Sequence, residues 1–316
     1  MEKMYRLLFF GFLLLTACQN KADLQMKGMS TALLSLVMQL QPSNSPLKEY
    51  EVFLARLDSA EVTNVSEAAE EYAALFKGQP QPLADSGYVL FEQFYQRVDK
   101  TLNHLHRRAS TDFRPLAVNY EESRLGSLPQ ELMDYNQIMR ENGFEVALID
   151  LLDGGTYLKQ NRNFIATHFY SFISPDLKEY LEQINKETKE GFSDVGGLAI
   201  IEEVFVDRVI WWENFVAKHP NFIWAKESEA RKKFYFTVLL QGLVNNPVLS
   251  LERNKLDTYF AVAYQELHKC APYSEANKLV QPYLKALKRS DRTRANALLK
   301  QYKKDGIILN ASEPES

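Results

Sequence analysis

An all-α fold follows from three features of the chain. Apolar residues recur at three- and four-residue spacing along most of its length, the period of amphipathic helices. Glycine and proline are sparse, 13 and 12 in 316 residues, and they gather at the breaks between periodic segments. No segment alternates apolar and polar residues beside hairpin turn chemistry. Consecutive helices joined by short polar breaks make either an irregular multi-helix bundle or a solenoid-like array of helix pairs. With no fixed period, no named repeat is indicated. Hydrophobic residues make up 46% of the chain, ample for a core.

The first expected helix covers 24–40, where Met26, Met29, Leu33, Leu36, Val37 and Leu40 share one side. Helices follow at 46–57 and 65–77. Over 86–108, Tyr88, Phe91, Tyr95, Val98, Leu102 and Leu105 form one stripe. Residues 109–128 mix Ser, Pro, Gly and charge without helical spacing. They read as a connector between an N-terminal helical unit at 24–108 and a larger C-terminal one at 129–304, or as a loop on one core. A helix at 129–142 precedes the run 144–152, which is too short for periodicity to separate strand from helix. Another helix is expected at 156–171. Ser174-Pro175-Asp176 marks a helix start: an N-cap serine, proline at the first helical position and an acid in the first turn. Further helices are expected at 198–218, 227–245, 251–269, 273–289 and 292–304. The polar residues 305–316 read as a flexible tail.

The N-terminus indicates where the protein resides. Lys3 and Arg6 precede an apolar run over 7–15. A spanning helix needs about 20 apolar residues, so this run suits the core of a signal peptide. Leu15-Thr16-Ala17-Cys18 resembles the bacterial lipobox. That resemblance implies a lipoprotein signal peptide at 1–17 and a lipidated tether at 18–23. Cys18 would carry a diacylglycerol and an amide-linked acyl chain such as palmitate. Each buried CH₂ of such chains contributes about 0.8 kcal/mol, so several chains hold stably where one does not. The alternative is a plain secretory signal cleaved elsewhere. Gln19, in place of the Asp that retains enterobacterial lipoproteins at the inner membrane, favours the outer membrane. Residues 153–220 also resemble uncharacterised bacterial lipoproteins, a likeness that transfers no activity and no functional residue. With Cys18 lipidated, Cys270 has no intramolecular disulfide partner, and it is expected as a small buried apolar residue.

No catalytic, metal or cofactor constellation stands out. His104 and His106 lie two residues apart and point roughly 200° away from each other on a helix, so one ion cannot take both. His168, His219 and His268 lack the spacings of zinc sites. Asp153-Gly154-Gly155 and Asp194-Val195-Gly196-Gly197 lack the alternating acids of a calcium loop and read as turns.

Two segments are unusual. On the helix near 198–218, Ile201, Phe205, Val209, Trp212, Phe215 and Val216 form a core-type stripe that also contains Arg208. A cation there needs an anion, and a salt bridge to a neighbouring helix with stacking on Trp212 is the first expectation. The opposite side carries Glu203, Asp207, Trp211, Asn214 and Lys218, the composition of a protein-interface anchor or a sugar-stacking platform. The second segment, 278–304, holds nine basic residues (Lys278, Lys285, Lys288, Arg289, Arg292, Arg294, Lys300, Lys303, Lys304) against Asp291. Its local charge is +8, so the rest of the chain carries −12 to reach the total of −4. Such a stripe attracts anionic lipid or lipopolysaccharide, or is compensated by acids within the protein. Nucleic acid fits the charge but not the compartment.

The leading expectation is therefore an envelope lipoprotein, anchored in the membrane by Cys18, whose helical domain binds an envelope protein or organises an assembly. A binding lipoprotein for glycans or anionic envelope polymers is the alternative. A cell-wall hydrolase would need two carboxylates or a metal constellation meeting in a cleft.

Overall fold

The computed structural model describes residues 45–117, 128–149, 155–194, 196–250 and 255–310. The signal segment, Cys18 and the expected helix at 24–40 lie outside them, as do 118–127 of the connector. The structure is 67% helical, with eleven helices and only short two-stranded sheets among the described residues, so the all-α class holds. Packing divides the chain into two compact units, and the division falls between Asn185 and Lys186.

The first unit contains α1 (Pro46–Arg56), α2 (Asn64–Phe76), α3 (Gln81–Arg108), a 3₁₀ turn (Arg114–Leu116) and α4 (Gln130–Glu141). Strands β1 (Phe144–Leu148) and β2 (Thr156–Gln160), helix α5 (Arg162–Phe169) and the start of α6 (Pro175–Glu190) complete it. Ser45 opens α1 by accepting the Lys48 N–H, as an N-cap serine does. α3 begins five residues before the expected start, and Gly87 lies inside it. A Cβ there would sit 2.4 Å from the Phe76 ring, so the glycine is a packing requirement and not a break. Phe169 lies at the centre of the core, its ring 4.3 Å from Phe91 and 4.7 Å from Tyr72. The buried Tyr50 and Tyr72 hydroxyls donate to the Ala68 and Ala84 carbonyls, which satisfies them.

Here the expectation of a helix over 156–171 is corrected. Residues 156–160 form β2, antiparallel to β1, and the helix starts only at Arg162, behind Asn161 as N-cap. The physical reason lies on α3. Asn103 accepts the Leu158 N–H and donates to the Leu158 carbonyl, both at 2.8 Å, doing for the strand edge what a neighbouring strand would do. The ambiguous run at 144–152 resolves as strand over Phe144–Leu148, with Phe144 and Val146 facing the core. The described part of the 109–128 stretch belongs to this unit, where Phe113 and Leu116 are buried.

The second unit begins at Lys186, in the last turns of α6. It contains β3 (Ser193–Asp194), β4 (Gly197–Leu198), α7 (Glu202–Lys218), α8 (Ala225–Gln241), β5 (Gly242–Leu243) and β6 (Asn246–Pro247). Helices α9 (Thr258–Cys270), α10 (Glu275–Lys288) and α11 (Arg292–Lys304) follow. α7 is the central element, packed by α8, α9 and α10. Phe205, Val209, Trp212 and Phe215 are its buried stripe, as expected. Ile201 is not part of that stripe: it precedes the helix as N-cap and is 62% exposed. The double-glycine stretch at 194–197 is a turn, closing the β3–β4 pair with Gly196 at φ 75°. Gly242 ends α8 at φ 77°, where a Cβ would meet the Asn246 carbonyl oxygen.

Two further expectations are corrected here. Residues 305–310 are held and not frayed: Ile308 is buried, and the Leu309 N–H donates to Thr237 Oγ1 at 2.9 Å. Cys270 is exposed because it sits at the last position of α9, where its thiol reaches only the Glu266 carbonyl.

Candidate functional site

The outer face of α7 gathers most of the residues singled out there. Glu203, Asp207, Asn214 and Lys218 are exposed and Trp211 is half-buried. Their three- and four-residue spacing places all five on one stripe, on the other side of the helix from the buried residues. The Trp211 ring stacks on Phe215, 4.8 Å away and nearly parallel at 13°, and meets Trp212 edge-on at 4.8 Å. One side of the indole is thus fixed by aromatic packing while the residue keeps access to solvent. The result is a rigid amphipathic ring with a polar rim.

Arg208 does not belong to this face. It is 1% exposed and faces inward, donating to Glu190 at 2.9 Å and to the Gly191 carbonyl at 2.8 Å. Burial works to lower its pKa, but the Glu190 bond and the neighbouring Tyr235 and Glu187 outweigh this and raise it, so the guanidinium stays charged. Beside it the buried Glu187 accepts from Trp212 Nε1 at 2.7 Å and from the Tyr235 hydroxyl at 2.8 Å. Arg231, and not Arg208, lies over the Trp212 ring, 5.4 Å from its centroid. The expected salt bridge is present; the expected stacking is supplied by another helix. This network ties α6, α7 and α8 together and leaves Trp212 no polar atom for an outside ligand.

Glu213 is a tie that the sequence reading missed. Its carboxylate, on α7, accepts the Glu275 N–H at 2.6 Å and the Ala276 N–H at 3.0 Å. It therefore caps the N-terminus of α10 from another helix, next to the local cap from Ser274. A half-buried glutamate on the polar side of an amphipathic helix carries no sequence signal for such a role.

The basic segment occupies α10, α11 and their turn. Lys278, Lys285, Lys288, Arg289, Arg294, Lys300 and Lys304 are exposed, and Arg292 and Lys303 are half-buried. Asp291, the acid among them, caps α11 by accepting the Arg294 N–H at 2.9 Å.

His106 is buried in the first unit, with Nδ1 2.9 Å from the Tyr135 hydroxyl and Nε2 2.9 Å from Thr156 Oγ1. Its ring stacks on Phe113 at 4.2 Å. Burial lowers its pKa below the ordinary 6.5. His106, four residues after Leu102, takes the inward position that the apolar reading gave to Leu105, which is 48% exposed. His104 points outward. Among the described residues no group of histidines, cysteines and acids is arranged to hold a metal ion. A shallow, mostly apolar depression in the first unit is lined by Leu116, Leu128 and Met133 together with Asn136, Gln137, Arg140 and Glu141. No helix among the described residues is long and apolar enough to cross a membrane.

No protein-family model matches this chain, and neither a curated protein nor a solved structure is significantly similar to it.

Proposed function

We propose that this chain is a lipid-anchored protein of the bacterial envelope, held at the membrane through Cys18, whose helical domain binds a protein partner. The outer face of α7 carries the reading. Trp211 is presented half-buried, backed by Phe215, within a rim formed by Glu203, Asp207, Asn214 and Lys218. Tryptophan in this setting combines a large apolar contact with little entropy to lose, which is why it dominates interface hot spots. The Leu15-Thr16-Ala17-Cys18 motif supports the anchor, and Gln19 supports the outer membrane as its location.

The test is cross-linking in cells, affinity capture and mass spectrometry, comparing the native chain with Trp211→Ala and Cys18→Ser variants. One reproducible protein partner, lost in Trp211→Ala at unchanged protein level and lost with mislocalisation in Cys18→Ser, is the expected result. A partner list unaffected by Trp211→Ala would overturn the assignment of this face. Co-purification of a glycan that depends on Trp211, without a protein partner, would replace the reading by glycan binding.

A further inference from the structure

The α10–α11 hairpin presents a charge distribution that the fold does not neutralise. Lys278, Lys285 and Arg289 recur along or just beyond α10 on the side opposite the buried Ala276, Val280 and Tyr283. Lys300 and Lys304 stand one turn apart on the exposed side of α11, and Arg294 is exposed in its first turn. Among the described residues none of these six cations forms an ion pair. Several other cations of the same unit are matched: Lys232 with Glu229 and Glu275, Arg231 with Glu187, Lys269 with Glu266, Lys186 with Glu190. The first turn of α11 carries Arg292 and Arg294 and no acid, so these cations oppose the helix dipole. Lys285, Arg289 and Lys304 stand at helix C-termini, where the dipole favours a cation, but neither ion pairing nor helix stability accounts for Lys278, Arg294 and Lys300.

We propose that this basic face docks on anionic phospholipid headgroups at the membrane surface. A polybasic surface is drawn to such headgroups within about a Debye length, 8–10 Å at ordinary salt. A protein partner is less suited to this face. Interface cores are built on large apolar and aromatic anchors, and no exposed large hydrophobic residue lies on α10 or α11. A charged, laterally fluid surface needs only long flexible cations, which this hairpin has. The proposal rests on the anchored reading for proximity to a membrane, and its chemistry is testable separately.

The experiment uses the purified full chain bound to vesicles of pure phosphatidylcholine, or of phosphatidylcholine containing phosphatidylglycerol. Acetylation rates of Lys278, Lys285, Lys288, Lys300 and Lys304 are read by mass spectrometry, with the exposed Lys48 and Lys77 as internal references. The expected result is several-fold slower acetylation of the five lysines on the anionic vesicles alone, with the protection lost at high salt. A Lys285→Glu/Arg289→Glu/Lys300→Glu variant is expected to lose the protection of Lys278 and Lys304. Equal labelling on both vesicles, protection shared equally by Lys48 and Lys77, or protection by soluble polyphosphate but not by vesicles would overturn the proposal. The mass of the N-terminal peptide from the same preparation reports whether Cys18 is acylated, so failure of the anchor and failure of the basic face are read independently.

Discussion

His106, Arg208 and Glu187 are buried polar side chains held by partners distant in sequence, and the identities of those partners set what a substitution would do. His106 is the clearest case. Burial lowers its pKa in the folded chain, whereas the unfolded chain keeps the ordinary value of about 6.5. Below that value the unfolded state binds more protons than the folded one, so acid favours unfolding. Its contribution to stability is complete above about pH 6.5 and drains away as pH falls through the lowered folded value. His168, also lowered mainly by burial, adds in the same direction. Thermal melts at pH 7.5 and 5.5 should show a fall in Tm on acidification that shrinks, without vanishing, in His106→Gln. An unchanged fall would mean that this imidazole is not buried as described. Arg208 and Glu187 illustrate the complementary rule. A charge enters an apolar core only with its counter-group, and here the counter-groups come from α6 and α8.

Helices in the second unit are terminated by each other as well as by their own residues. α10 starts with Ser274 as N-cap, a role readable from a serine ahead of a periodic run. Glu213 adds a carboxylate to two further N–H groups of the same terminus. In Glu213→Ala those donors lose a charged acceptor and retain access to water, so the expected destabilisation is about 1–2 kcal/mol. Chemical denaturation would measure it, and hydrogen exchange should show faster opening of the first turn of α10. A loss below a few tenths of a kcal/mol would mean that water replaces the carboxylate without cost. The local caps at Ser45, Asp257, Ser274 and Asp291 all use the residue types that cap helices best.

Charge is distributed unevenly over the molecule as a whole. The chain has a net charge of −4, yet 278–304 alone holds nine basic residues against one acid. Mutual repulsion within that segment works against folding, so reducing it should not harm the fold. The triple variant Lys285→Glu/Arg289→Glu/Lys300→Glu relieves this repulsion but sets two acids at the C-terminal end of α10, against the helix dipole, so the two effects offset and it is expected to melt close to the native chain. A clear drop in Tm would show that the cations serve the fold through contacts of their own and would remove the reason to seek an anionic partner. With this result beside the vesicle assay, loss of binding in a variant of full stability is attributable to the surface.

The fold class and both bounds of five helices were legible from spacing and caps, since α1, α2, α4, α10 and α11 fall within two residues of their expected limits, whereas the helices expected at 227–245 and 251–269 span only Ala225–Gln241 and Thr258–Cys270. So was the inward stripe of α7, because Phe205, Val209, Trp212 and Phe215 leave it no other face to bury. Local order of this kind is written in a dozen neighbouring residues. What only the tertiary structure decided depends on groups far apart in the chain. Residues 156–160 became a strand because Asn103 on α3 offers its amide to Leu158. Gly87 stayed helical because Phe76 fills the space of a side chain. Ile308 was drawn into the second unit's core, and Leu309 was fixed by Thr237. Trp211 and Trp212 are adjacent in sequence and equal in hydrophobicity. Helical spacing already set Trp212 inward and Trp211 on the opposite side; the tertiary structure decided their partners, Glu187 and Arg231 on the one ring and Phe215 beneath the other.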